Sequence, residues 1–438
     1  MTRDQILALD KAYVWHPYTA MRVYLDEVDP LVIVRAEGSR LFDADGRAYL
    51  DGNASWWTAT LGHRHPRILA AMKRQLDTLD HCALGGIAHE QAAALGAELC
   101  AAAPGMARVF YTDNGSTAVE AAVKLSLQYW VLHGATRKTR FVALEGAFHG
   151  ETVGATSLGG VEIFRRPFAD VLFDCVHVPV DDGHARAFDA MRGLLERDHD
   201  TIAAVVVEPI LQGAAGMRTY AASYLAELRA LCDRTGVLLV FDEVFTGYGR
   251  TGPMWGAEHA GVAPDLMCLG KAFAQIIPMG ATLVAPRVFD AFARERDTAF
   301  FYGHTFCGNP IGAAVAREVL AVYTEEDVLG QVAAKAPRIV RATERIARID
   351  GVRHVRSVGM ACAADLGEDA SAQESLEEAG YLGTAGWRVY AEARKRGVYA
   401  RPLGDTVYLC PPLTIADADL DELLAVFEES ITVALDRH

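Results

Sequence analysis

Two compact, branched apolar runs, Ile202–Val207 (IAAVVV) and Val237–Phe241 (VLLVF), constrain this chain more than any other feature. Runs of this kind suit strands buried on both faces, as in a parallel sheet covered by helices. Between them, Ala222–Thr235 sets Leu225, Leu228, Leu231 and Cys232 at helical spacing along one side. Gly236 follows, where a helix-ending glycine belongs. Strand, helix, strand predicts a right-handed crossover between parallel strands. Leu266–Leu269 supplies a further short strand. The predicted fold class is α/β, with a mostly parallel central sheet.

The chain ends read differently. Residues 1–60 are turn-rich and aromatic, with a hairpin-like segment Leu31–Leu50 broken at Asp45–Gly46. After about residue 318, a long helical stretch is followed by Val352–Val358, a helix near Gly386–Arg396 and the run Thr406–Leu409. The expected organisation is a large domain over 61–318 and a smaller α+β domain built from 1–60 and 319–438. With 438 residues, 51% of them hydrophobic, the chain can fill both cores.

Several function classes drop out. No stretch approaches the roughly 18 apolar residues of a spanning helix. Asp4, Asp10 and Lys11 interrupt the N-terminus, so no signal peptide is read and a cytoplasmic location is expected. A net charge of −15 argues against a nucleic-acid partner, while leaving room for small anions in a locally positive pocket. The eight cysteines form no CxxC pair, so reduced thiols are expected, with no disulfide framework and no metal.

In an open parallel sheet, chemistry belongs beyond the carboxyl ends of the strands. Glu208 follows IAAVVV, Asp242 and Glu243 follow VLLVF, and Lys271 follows LMCLG, with Gly270 leaving room beside it. A lysine beside a carboxylate also describes a structural ion pair. The same two groups suit pyridoxal phosphate (PLP): the carboxylate, Asp242, keeps the pyridine nitrogen protonated, and Lys271 forms the resting imine and shuttles protons. A phosphate cradle is also present. Phe110–Ser116 (FYTDNGS) runs from a short strand through Gly115 and Ser116 into a helix start, whose N–H groups and dipole favour an anion. Alone, NGS is only a good helix cap. Phe148, in the glycine-flanked run EGAFHGET, offers a ring to stack on a pyridine or simply to pack.

The runs TDNGSTAVEAAVK, FHGET, EPILQGAAGM, FDEVFTGYGRTG, CLGKA and GHTFCGNP, in this order over residues 110 to 310, resemble the class III (omega-type) aminotransferases of PLP fold type I. The resemblance implies Asp242 on the pyridine nitrogen, Lys271 as the Schiff-base lysine, and Gly115 and Ser116 on the phosphate. It also implies Thr305, with its neighbour His304, reaching the phosphate of a second subunit, hence a homodimer with shared sites. WHPYT (Trp15–Thr19), SWW (Ser55–Trp57) and YARPLGDTVYLCPP (Tyr399–Pro412) resemble the biotin-pathway branch of that family, which aminates 8-amino-7-oxononanoate. The usual donor there is S-adenosylmethionine, with lysine the runner-up. That substrate is a long aliphatic chain ending in a carboxylate. Tyr18 and Trp56 would wall an apolar slot, Arg401 would pair with the carboxylate, and Gly303 would let the substrate approach the backbone. Core packing for Trp56 and a surface ion pair for Arg401 are the bland alternatives.

Two positions depart from the pattern. Phe148 stands where tyrosine is expected, which keeps a ring and loses a hydroxyl; Glu151 stands where aspartate is expected. Two other activities fit the same core: an omega-aminotransferase acting on diamines or ω-amino acids with a 2-oxo acid, and a PLP aminomutase or racemase. A dinucleotide-binding module fits poorly, because no G-x-G-x-x-G follows an early strand.

Overall fold

The computed structural model describes residues 1–180, 185–367 and 382–436. A seven-stranded sheet forms its centre, in the order Arg108–Thr112, Gly280–Val284, Leu266–Leu269, Leu238–Asp242, Ile202–Val207, Arg140–Leu144, Cys175–Val178. Gly280–Val284 runs antiparallel to both neighbours; the other pairs are parallel. The predicted crossover is present. Helix Ala222–Thr235 joins two fully buried strands, and Gly236 ends it in the left-handed conformation, φ 70°. The second strand begins and ends one residue later than its apolar run, because Asp242 still pairs with Cys268.

Register sets the chemistry. Phe241 lies opposite Val207, which brings Asp242 level with Glu208 on the adjacent strand. Lys271 comes two residues after the end of Leu266–Leu269. All three groups therefore gather at one edge of the sheet.

The chain ends pair with one another. Ile33–Glu37, Arg40–Asp43, Ala48–Asp51 and Val398–Tyr399 make a four-stranded sheet, in which Tyr399 lies opposite Asp51. The Leu31–Leu50 segment is thus a three-stranded meander. It turns at the expected Asp45–Gly46 and also at Gly38, a turn the sequence reading passed over. Val352–Val358, Ala361–Leu366 and Thr406–Leu409 form a separate three-stranded sheet, packed on by helices Val328–Ile346 and Ala385–Lys395. Among the described residues, no helix is long and apolar enough to cross a membrane.

Candidate active site

Beyond the strand ends lies a cavity of about 390 Å³, lined by Gly115, Ser116, Phe148, Asp242 and Lys271 together. Five of the predicted site residues therefore share one space. A larger groove, about 1240 Å³, runs between the helices around Ala71, Glu98 and Arg317. It has no lysine beside a buried carboxylate, so the chemistry belongs to the smaller cavity.

One wall is a helix start. Asn114 caps Gly115–Leu132, accepting from the Thr117 N–H at 3.0 Å, while the Thr117 hydroxyl accepts from the Asn114 N–H at 3.0 Å. Gly115 and Ser116, whose N–H groups fall in the first helical turn and so lack an intrahelical partner, both line the cavity at the positive end of the dipole. A side chain at Gly115 would strike Val244 Cγ1 at 2.7 Å, so glycine is what lets the helix start sit against the sheet. This wall fits an anion, as a phosphate requires.

The opposite groups are titratable. Asp242 is buried; its Oδ2 is 2.8 Å from His149 Nδ1, and its Oδ1 accepts from the Val244 N–H at 3.0 Å. His149 Nε2 has no hydrogen-bond partner among the described residues. Glu208 accepts from the Phe148 N–H at 3.1 Å and the Gly213 N–H at 2.9 Å, which fixes the loop carrying the Phe148 ring. Burial, with Asp242 nearby, pushes the Glu208 carboxyl up to about 7. Burial also pushes the Lys271 amine below its ordinary value, against the pull of Asp242 and Glu208. The Lys271 Nζ lies 4.7 Å from the Trp57 ring centroid and 5.6 Å from that of Phe245. A lysine driven toward its neutral form is a nucleophile and a proton acceptor. Its backbone is held at φ 48°, a conformation that side-chain-bearing residues rarely adopt and that clusters at functional sites.

Tyr18, Trp56 and Arg401 stand outside this lining, in a chain of rings leading from it. Phe148 meets Phe164 with centroids 5.9 Å apart, Phe164 meets Tyr18 at 5.4 Å, and Tyr18 meets Trp56 at 5.5 Å. The Arg401 guanidinium lies 5.7 Å from the Trp56 ring and 5.3 Å from Trp387, and donates to the Tyr18 carbonyl at 3.2 Å. Among the described residues it has no carboxylate partner. Tyr18 also donates to Glu151, whose carboxyl is pushed up by burial.

Gly303 and Thr305 are exposed and outside the lining, while His304 pairs with Asp113 at 2.7 Å, beside the helix start. Sequence reasoning missed four contributors. Trp57 entered only as part of the SWW run, although the doubled tryptophan sends one ring to each side. Phe164 carried no motif. His149 entered only within the run FHGET and Glu208 only as a strand-end carboxylate; their buried polar contacts are tertiary facts.

The aminotransferase class-III family model matches residues 23–431. The chain is 38% identical over 440 residues to the adenosylmethionine-8-amino-7-oxononanoate aminotransferase of Geobacter sulfurreducens, covering 96% of each protein. Its structure is similar to that of the Methanocaldococcus jannaschii enzyme of the same name, with a TM-score of 0.94 and 32% identity over 98% of this chain and 99% of that one. It is also similar to an amine transaminase from an uncultivated Pseudomonas species, solved in its PLP-bound form, with a TM-score of 0.88 and 32% identity over 96% and 99% of the two chains. The lysine, carboxylate and helix start described above are thus set in a chain that belongs to the class-III aminotransferases.

Proposed function

We propose that this aminotransferase converts 8-amino-7-oxononanoate to 7,8-diaminononanoate, with S-adenosylmethionine as the donor and pyridoxal phosphate as the cofactor. One observation supports the reading: a run of rings, Phe148, Phe164, Tyr18 and Trp56, leads from the Lys271–Asp242 cavity to Arg401, which has no carboxylate partner among the described residues, and we read this run as the wall of a substrate slot. An acceptor with a long aliphatic chain ending in a carboxylate suits apolar rings that lead to a cation. When bound, pyridoxal phosphate supplies an electron sink for the carbon that gains or loses the amino group. Gly115 and Ser116 would hold its phosphate, Asp242 its ring nitrogen and Phe148 its ring face. Lys271 would hold it covalently at rest and afterwards move a proton at Nζ. His149 keeps Asp242 oriented. Phe148 presents no hydroxyl toward the slot, which leaves Glu151 and Tyr18 as the polar pair there.

Incubating the PLP-loaded enzyme with 8-amino-7-oxononanoate and separate donors, with product read by mass, tests the assignment. Diaminononanoate should appear with S-adenosylmethionine; no product with either that donor or lysine would overturn it. Arg401→Ala should raise the KM for the oxo acid by the equivalent of about 1.5–3 kcal/mol, the worth of a charge-assisted bond. An unchanged KM would remove Arg401 from the slot.

We also propose a homodimer with shared sites, a cytoplasmic location, and a large domain over 61–318 with a small one from both ends. Support for the dimer is the exposure of Gly303, Thr305 and Phe306 on one loop, displaced from their own chain's cavity. The eight free cysteines suit a reducing compartment. The pairing of Ala48–Asp51 with Val398–Tyr399 supports the division. Mixing inactive Lys271→Ala subunits with subunits inactivated at Thr305 should restore part of the activity through hybrid dimers. An active enzyme that sediments as a monomer would exclude shared sites.

A further inference from the structure

The segment that carries Trp56 is built against the backbone's preference. Ala54, Ser55, Trp56 and Trp57 all hold positive φ, at 45°, 45°, 63° and 73°, and none is glycine. A left-handed run of four such residues forces each Cβ toward its own carbonyl oxygen. Something outside the run must therefore hold it. Asp51, buried at 1% exposure, ends the preceding strand, and its carboxylate collects donors from the run and its flanks. Asn53 N–H donates at 3.3 Å, Ser55 N–H at 2.8 Å and the Ser55 hydroxyl at 2.9 Å, while His63 Nε2 stands at 2.9 Å. Inside the run, Trp57 N–H donates to the Asn53 carbonyl at 2.8 Å and Thr58 N–H to the Ala54 carbonyl at 2.9 Å.

The run has a functional outcome. Successive tryptophans on a tight left-handed turn point to different sides. Trp57 goes inward, packed against Phe245 with tilted rings 4.3 Å apart and lying under Lys271. Trp56 goes outward to Tyr18 and Arg401. The Asn53 side chain also accepts from the Arg401 N–H at 2.6 Å, so the same turn fixes the strand end bearing the arginine. We infer that Asp51 is a positioning residue, whose carboxylate holds the left-handed 54–57 turn and so sets Trp56 as the wall of the substrate slot. The inference rests on the proposed slot, and goes beyond it in naming what shapes the wall.

Asp51→Asn tests it. One amide oxygen cannot replace two carboxylate oxygens, and the amide N–H₂ would face donors. In the PLP-loaded enzyme, hydrogen exchange of backbone amides in 53–58 should quicken about tenfold, the scale of one lost bond to a charged acceptor. Exchange in the central strands should stay unchanged. The KM for 8-amino-7-oxononanoate should rise by the same order, with kcat nearly kept. Adding Trp56→Ala should raise KM no further than Trp56→Ala alone, because a displaced wall has nothing left to lose. A purely structural role would make the two effects multiply, and that result overturns the inference. If Trp56→Ala raises KM and Asp51→Asn does not, the positioning role alone falls. If Trp56→Ala leaves KM untouched, the slot reading fails and takes the inference with it. Ser55→Ala removes one donor at an exposed position and spares the buried carboxylate. It should move both readouts the same way by a smaller factor, and flat readouts would count against the inference should Asp51→Asn not fold.

Discussion

Lys271→Ala is expected to abolish turnover, by about 10⁴-fold or more, the upper end of what one positioned acid–base group contributes. The loss should be large because, in the mechanism proposed above, one amine does two things, holding the cofactor covalently and moving the proton. Its lowered basicity serves both, and that basicity is set by a buried position rather than by a neighbouring cation. The fold should survive, since a buried amine is costly to desolvate and its removal leaves Asp242 bonded to His149 and the Val244 N–H. Two readouts separate chemistry from folding. Borohydride treatment should fix cofactor to the wild-type chain and not to the variant, as read by mass, while the thermal midpoint stays close to wild type. Substantial turnover in a folded Lys271→Ala protein would sink the aminotransferase mechanism at this site.

Asp242→Asn should be the next most damaging change. The carboxylate is the proposed counter-charge of a protonated ring nitrogen, and breaking a buried pair of that kind costs about 3–5 kcal/mol, or roughly 10²–10⁴ in rate. The variant should still take up pyridoxal phosphate, because the phosphate wall and Lys271 are intact. It should lose kcat far more than cofactor affinity. The disruption also reaches His149, since one amide cannot accept from both His149 and the Val244 N–H. Near-normal turnover would transfer the counter-charge role to Glu208, the neighbouring strand-end carboxylate, whose elevated titration makes it a poor counter-ion at neutral pH.

The sheet and its chemical edge were legible because they are local facts repeated along the chain. Apolar runs such as IAAVVV declare buried strands, and whatever polar residue follows each run must emerge at the same edge. That logic placed Asp242 and Lys271 without any knowledge of their neighbours. The strand at Gly280–Val284 was not separated out, since its antiparallel direction depends on where the chain turns after Lys271. Contacts that need folding in three dimensions stayed hidden. Nothing in the local sequence announces that Phe164 bridges Phe148 and Tyr18, or that Glu208 fastens the Phe148 loop. The backbone of 54–57 was equally opaque, because Ala, Ser and Trp are not residues from which a left-handed turn is read.

The parallel pairing of Ala48–Asp51 with Val398–Tyr399 has a consequence for the order in which the enzyme comes into being. Every residue lining the Lys271 cavity lies between Trp57 and Met279, so that cavity is fully synthesised well before the chain is finished. The slot is not. Trp56 and Tyr18 are made early and wait for Arg401, which arrives only after some 340 more residues have left the ribosome. Contacts across so long a stretch close late and slowly. The newborn chain therefore completes the lining of the Lys271 cavity before it makes the arginine proposed to meet the substrate.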